Sequence, residues 1–466
     1  MTEAEMQACG PPSTNAIAPR HWVGLAGVLL LALWVRAGLL PAFDRHGWEG
    51  HEAEYLAVFQ GDWQGGWSTR VVPLLGWIYA GLGTLTQAPE FLLVLALVAG
   101  LASILALMSL VHRQVGPGAA LLAGGLVALC GNHAFWSSSA YNVMLPHALL
   151  MAGLAALHFG GWGALLASGA LLGAAAAGRV ELLVFCLPAA LLLRERGWLE
   201  RGAWVTIIAV VFGLCALPLA TQGAHPQGLW EQLPDALRIN LLLPVFLQPF
   251  SAWPALLLAS LFAAVATWRC PRPASFWLTV LVLGQASGAA FADSGFRQAL
   301  TPVVALCILQ ALGVQALWRL GAQRSGAARW LPQAAAMLGL GVLVSLLALD
   351  SVDVAQRYYA PAPGLIAELE AERSTPFDAS QHPDCREVNT SPARAEDELG
   401  PFEVQRWDRC WLWVEDFQHR RWTSLGVHDR SRRMHHSFEL TPLGMQRDSM
   451  DPGQPPRQVW RVVAPR

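Results

Sequence analysis

The densest group of residues able to move protons lies early in the chain. The run Asp44-Arg45-His46-Gly47-Trp48-Glu49-Gly50-His51-Glu52-Ala53-Glu54-Tyr55 interleaves carboxylates with two histidines. Residues 1–349 hold 14 acidic residues, and five of them fall between Asp44 and Asp62: Asp44, Glu49, Glu52, Glu54 and Asp62. A carboxylate in apolar surroundings has a raised pKa and can serve as a general base near neutral pH. A neighbouring carboxylate or histidine can orient that base. The plainer alternative is a solvated loop that is acidic by chance. His46, Glu49, His51, Glu52 and Glu54 are also metal-ligand types, but their spacing matches no zinc motif such as HExxH. No metal residue is assigned. No cofactor is expected, and a divalent ion stays open without a motif to support it.

Cationic residues offer the complementary chemistry. Arg297 precedes the apolar run Gln298-Ala299-Leu300-Thr301-Pro302. A guanidinium at a membrane interface suits a phosphate, although a snorkelling interfacial arginine is common. Arg36 ends an apolar run just before the acidic loop and could pair with one of its carboxylates. Arg70 closes that loop. Arg179 and Glu181 interrupt another apolar block, as a structural pair or as the end of a half-helix. Asn132 to Asn142 reads as a polar turn between spans, on the cytoplasmic side. His419, His428 and His435-His436 lack a paired metal spacing and read as solvated surface.

These residues must be positioned by membrane helices. The chain has 466 residues, of which 54% are hydrophobic and 14% charged, against about a quarter charged in a soluble protein. Apolar blocks run at 22–40, 71–87, 90–111, 118–136, 143–160, 161–193, 203–221, 241–268, 275–292, 298–318 and 330–349. Blocks of about 18 residues or more can cross the hydrocarbon core. The block 161–193 is either one broken helix or two short ones. Trp22–Leu40 lacks a small-x-small cleavage site and reads as a retained helix. All 31 basic residues are arginine. Without lysine, neither a Walker A loop nor a pyridoxal phosphate Schiff base can be built. A net charge of −2 gives no pull toward nucleic acid.

Short loops carry Arg194, Arg196 and Arg201, then Arg269 and Arg272, then Arg319, Arg324 and Arg329. The positive-inside rule puts all three in the cytoplasm if the N-terminus is cytoplasmic. Loop 41–70 and the tail are then outside, in a multi-pass protein of the cell inner membrane. Three domains are expected: a disordered cytoplasmic segment 1–20, a transmembrane domain 21–349, and an extracytoplasmic C-terminal domain 350–466. In the tail, Val404–Val414, Thr423–Val427 and Gln458–Val463 read as strands, so that domain is small and α+β or β-rich. Cys385 and Cys410 could pair there if the tail is exported. Asn389-Thr390-Ser391 is a weak glycosylation match.

Four stretches resemble the polyprenyl-phosphate-dependent glycosyltransferases of the GT-C fold, nearest to the protein mannosyltransferase and aminoarabinose transferase-like group. Leu33-Trp34-Val35-Arg36, followed by His51-Glu52-Ala53-Glu54-Tyr55, resembles that family's helix-one arginine and its Asp-Glu-x-x-Tyr loop. Val72-Pro73-Leu74-Leu75-Gly76-Trp77 is similar to its proline-led second helix. Phe296-Arg297-Gln298-Ala299-Leu300-Thr301-Pro302 is similar to its late arginine-bearing span start. Gly178-Arg179-Val180-Glu181 resembles a mid-chain Arg-Pro-Glu-like stretch. The eleven apolar blocks read as about 11 transmembrane helices, and the resemblance implies an all-α polytopic, GT-C-like protein. It implies inverting transfer of a sugar from a polyprenyl-phosphate donor to a lipid, glycan or protein acceptor outside the cytoplasm. The family's catalytic aspartate position is His51 here, so His51, Glu52, Glu49 and Asp44 are the catalytic candidates. Arg297, Tyr55, Glu54, Arg36 and Arg70 are the substrate-binding candidates. The expected third-span arginine is absent. The rival readings are a transporter or flippase of lipid-linked sugar, and an inactive scaffold of the same fold.

Overall fold

The structure is a computed structural model that describes residues 19–37, 55, 58–61, 73–86, 88, 90–139, 143–220, 253–290, 300–359 and six strands between 386 and 463. It divides into two compact units. The first holds the helices up to Val352, and the second holds the strands.

The helical unit follows from the apolar blocks. Its helices are α1 (Pro19–Ala37), α2 (Pro73–Leu85), α3 (Glu90–Gln114), α4 (Pro117–Ala128), α5 (Gly131–Trp136), α6 (Met144–Ala156) and α7 (Gly161–Gly178). A 3-10 segment (Val180–Phe185) leads into α8 (Cys186–Leu192). Then come α9 (Trp198–Ala220), α10 (Trp253–Arg269), α11 (Pro271–Ala290), α12 (Leu300–Ala322) and α13 (Trp330–Tyr359). Among the described residues, five stretches are long and apolar enough to cross a membrane: Glu90–Gln114, Gly161–Gly178, Trp198–Cys215, Leu300–Ala322 and Trp330–Leu349. With leucine, valine and alanine on every side, such helices gain nothing from water and are solvated by lipid or by each other. The protein is an integral membrane protein.

Side-chain contacts fix the helix directions. At one end, Arg319 Nη2 donates to the Val115 carbonyl at 3.2 Å, and Trp277 Nε1 donates to Gln114 Oε1 at 2.9 Å. Arg113 lies over the Phe159 ring at 5.1 Å, and the Arg196 guanidinium lies beside Gly160. All three arginine loops therefore share this basic end. From it, α1 and α4 run side by side in the same direction, Gly24 against Leu121 and Val28 against Gly124. A methyl at Gly124 would sit 2.5 Å from Met108 Sδ, so the absent side chain lets α3 close on α4. α12 is the most enclosed of the long helices and packs on α10, α11 and α4. A methyl at Gly313 would meet the Phe262 carbonyl oxygen at 2.2 Å, so α10 and α12 touch backbone to backbone there.

Block 161–193, open between one broken helix and two short ones, is two segments, α7 running away from the basic end and the 3-10/α8 segment returning to it, and two other expectations change. Block 71–87 forms the 13-residue α2, about 20 Å long against a core of about 30 Å. Because α1 leaves the basic end and α3 returns to it, α2 adds no net crossing. The two differences offset each other, which is why the arginine loops still fall together. The polar stretch from Asn132 is, over its described residues, enclosed rather than a loop between spans: Gly131–Trp136 forms α5, and Asn132, His133, Ser137, Ser138 and Ser139 are buried.

The strand unit is a mixed six-stranded sheet, ordered β1-β2-β3-β6-β5-β4. The strands are β1 (Arg386–Thr390), β2 (Glu403–Asp408), β3 (Cys410–Val414), β4 (His436–Thr441), β5 (Gly444–Ser449) and β6 (Gln458–Val463). β3 and β6 pair in parallel, Cys410 opposite Val459 and Val414 opposite Val463. The other pairs are antiparallel, with a register shift between Glu387 and Asn389. A parallel pair needs a long crossover, and here the connection carries the β4–β5 hairpin. The expected strand Thr423–Val427, Cys385 and residues 1–18 lie outside the described residues.

Candidate active site

Two polar clusters lie between mid-depth and the end of the helical unit opposite the arginine loops. The first is built on Arg36. Short helices explain how it is buried. α4 and α6 have 12 and 13 residues, about 18–20 Å, whereas α3 reaches about 37 Å. The ends of α4 and α6 therefore stop inside the bundle, and α5 fills the space between them. Irregular backbone is tolerated at that depth where protein encloses it.

Arg36 is fully buried. Its Nη1 donates to the Ala32 carbonyl at 2.9 Å and to the Ala128 carbonyl at 3.1 Å. Its Nη2 lies 2.6 Å from His133 Nδ1. A guanidinium only donates, so Nδ1 is the acceptor and His133 carries its proton on Nε2. That Nε2 lies 2.8 Å from Ser103 Oγ, which donates to the Gly100 carbonyl at 2.8 Å. Ser137 Oγ donates to the His133 carbonyl at 2.6 Å. The loop carboxylates with which Arg36 could pair lie outside the described residues; among the described residues its partners are two carbonyls and His133. Ser103 stands 11 residues, about 16 Å, along α3 from Gln114, so this layer is near mid-depth.

The second cluster lies nearer the outer edge of the unit. The His147 ring meets the His133 ring edge to face at 5.9 Å. His147 Nδ1 lies 3.2 Å from Thr301 Oγ1. Thr301 opens α12 and stands 18 residues, about 27 Å, from Arg319. α7 stops at Gly178, where a methyl would strike Pro146 of α6 at 2.6 Å. Arg179 then takes extended backbone, and its side chain pairs with Glu181, Nε donating to Oε1 at 2.5 Å. The pair is both a structural ion pair and a helix end. Val143, His147, Arg179, Glu181, Ser287 and Thr301 line a small cavity of about 20 Å³, with Leu182, Phe185 and Leu300 on its apolar side.

Of the sequence candidates, Tyr55 is buried and packs edge-on against Tyr79 of α2, ring centres 5.2 Å apart. Asp44, Glu49, His51, Glu52, Glu54, Arg70 and Arg297 lie outside the described residues. The pocket residues His147, Ser287 and Thr301 were not singled out from the sequence. One signal was available: His147 is a histidine inside an apolar span, and intramembrane ionisable groups are rare. Among the described residues no group of three or more metal-ligand types converges.

No family model matches the sequence, and no curated protein matches it. Solved structures do. ArnT from Cupriavidus metallidurans in the apo state superposes with a TM-score of 0.51 at 14% identity, covering 78% of this chain and 81% of that one. The same protein bound to undecaprenyl phosphate gives 0.49 at 15%, covering 78% and 82%. The oligosaccharyltransferase of Archaeoglobus fulgidus in the apo form gives 0.51 at 12%, covering 88% of this chain and 64% of that one. The chain has the GT-C fold.

Proposed function

We propose that the protein is a membrane glycosyltransferase that moves a sugar from a polyprenyl-phosphate donor to an acceptor hydroxyl on the extracytoplasmic face. The observation that carries this reading is the polar pocket at the head of α12, in a GT-C fold, at the end opposite the arginine loops. With those loops in the cytoplasm, the pocket end faces outward. Arg297 is three peptide units from Leu300, so covalent reach alone keeps their Cα atoms within about 11 Å.

In this reading His51 or Glu52 takes the acceptor proton, with Glu49 and Asp44 as the nearby carboxylates. The acceptor oxygen attacks the anomeric carbon, and the bond from that carbon to the phosphate oxygen breaks. The leaving lipid phosphate keeps the electron pair, and the Arg297 guanidinium meets the charge that develops there. Glu54, Tyr55 and Arg70 hold the loop and the substrate. Arg36 supports them from below, because its bonds pin the end of α1 to α4 and α5. The sequence resemblance supports a polyprenyl-phosphate substrate.

The test is transfer of radiolabelled sugar from undecaprenyl-phosphate-linked donors by the purified protein in nanodiscs, with cell-envelope extract as acceptor source. Transfer by the wild type and its loss in His51→Ala/Glu52→Ala support the reading. Undiminished transfer by the variant removes that loop from the site. A wild type that transfers nothing but moves lipid-linked sugar between vesicle leaflets is a transporter instead.

A further inference from the structure

We propose that the basic end of the helical unit binds anionic phospholipids, with Arg113 and Arg269 holding their phosphodiester groups. This is independent of the sugar-transfer reading and concerns the other end of the helical unit.

Both arginines stand on aromatic rings instead of carboxylates. Arg269 Cζ lies 3.8 Å from the centre of the Trp268 ring, and Arg113 Cζ lies 5.1 Å from that of Phe159. Each ring is 58% exposed. Among the described residues neither guanidinium donates a hydrogen bond or meets a carboxylate. Arg269 Nε is buried as well, and a donor enclosed without an acceptor is costly. The donors of a guanidinium lie in its own plane, so a ring against its face leaves them for a phosphate, which accepts two at once. A snorkelling arginine, by contrast, keeps its head in water.

The surrounding charge has the right sign. Loops 194–201, 269–272 and 319–329 carry eight arginines and two glutamates. Both glutamates pair within their own loop, Glu195 with Arg194 at 3.6 Å and Glu200 with Arg196 at 3.2 Å. The excess of positive charge attracts anions to this end. Apolar surface then identifies the anion as a lipid. On α10, Leu261 stands seven residues before Trp268 on the same face and is 56% exposed. On α3, Leu105 stands eight residues before Arg113 along one i+4 row and is 39% exposed. Each arginine therefore heads an exposed apolar stripe. A phospholipid fits both parts, its phosphate on the guanidinium and an acyl chain along the helix. A free phosphate would use the first part only.

The experiment titrates the full-length protein in detergent with phosphatidylglycerol or with phosphatidylcholine of the same acyl chains, and native mass spectrometry reads the affinities. The wild type should bind phosphatidylglycerol about tenfold or more tighter than phosphatidylcholine. Arg113→Gln/Arg269→Gln should lower phosphatidylglycerol affinity about fivefold or more while moving phosphatidylcholine less than about twofold. Arg113→Lys/Arg269→Lys, which keeps the charge without the planar fork, should recover only part of the loss. Phe159→Leu/Trp268→Leu removes the rings and keeps both charges. It is the independent variant should the glutamines misfold, with a loss of about threefold expected. Arg324→Gln changes an exposed arginine that stands on no ring among the described residues, and it should move phosphatidylglycerol less than about twofold. Equal wild-type affinity for the two lipids would overturn the proposal, as would no loss in the glutamine and leucine double variants. A loss in Arg324→Gln as large as in the glutamine double variant would assign binding to diffuse charge and overturn it too. So would displacement of phosphatidylglycerol by an equal concentration of inorganic phosphate, which would make the site one for free phosphate.

Discussion

Replacing His133 by phenylalanine keeps the ring volume but deletes both nitrogens. Two short hydrogen bonds disappear, together with the longer 3.3 Å contact of Ser137 Oγ with Nδ1. The one from Arg36 Nη2, at 2.6 Å, is charge-assisted and contributes about 1.5–3 kcal/mol. The one to Ser103 Oγ, at 2.8 Å, is neutral and contributes about 0.5–1.5 kcal/mol. Arg36 is fully buried, so water cannot replace the lost acceptor. The expected destabilisation is about 2–4.5 kcal/mol, near the top of what single substitutions do. It should be read from SDS or thermal unfolding of the protein in bicelles. Arg36→Met alone leaves His133 Nδ1 without its donor. The double variant removes both partners, and its cost should fall short of the two single costs added together, by about 1–3 kcal/mol. A cost below about 0.5 kcal/mol for His133→Phe, or strict additivity, would refute the claim that Arg36 and His133 hold α1 to α5.

Other expectations follow from the same packing. Gly313→Ala places a methyl 2.2 Å from the Phe262 carbonyl and should cost about 1–3 kcal/mol, whereas Gly341→Ala meets nothing within 4 Å and should be neutral or mildly stabilising in the same unfolding assay. Glu181→Gln strands the Arg179 guanidinium and should cost about 3–5 kcal/mol, discounted for the pair's partial exposure of 10% and 13%. Arg179→Met/Glu181→Leu should recover most of that loss, as thermal shift would show. Protease sites inserted at 195 and 325 should be cut only from the cytoplasmic side of oriented vesicles; cutting from outside would invert the arginine-loop assignment.

Much of the helical unit was legible because hydropathy marks a lipid-facing or buried helix directly. The arginine loops were legible too, since charge is excluded from the core. What failed was depth. Hydropathy alone cannot tell that α4 and α6 stop short, because α5 continues the apolar-polar mixture while remaining enclosed. The polar letters of Asn132 to Asn142 were therefore read as solvated, whereas Arg36 supplies the partner that lets His133 be buried. The same blindness hid His147 and Thr301, which are 154 residues apart and meet only through packing. Arg179 and Glu181 were legible as an anomaly because two charges interrupt an apolar block. In the tail, Val404–Val414 was visible by its tryptophan and β-branched content, and it forms β2 and β3. The parallel pairing of β3 with β6 has no local signature.

The central claim is that the carboxylate loop and Arg297 share one extracytoplasmic site. It is tested most directly by Glu52→Cys/Arg297→Cys in a background freed of native cysteines, treated in intact vesicles with a short membrane-impermeant bis-maleimide. The account predicts an intramolecular cross-link formed by reagent added on the extracytoplasmic side. Labelling of the two positions from opposite faces of the membrane would contradict it.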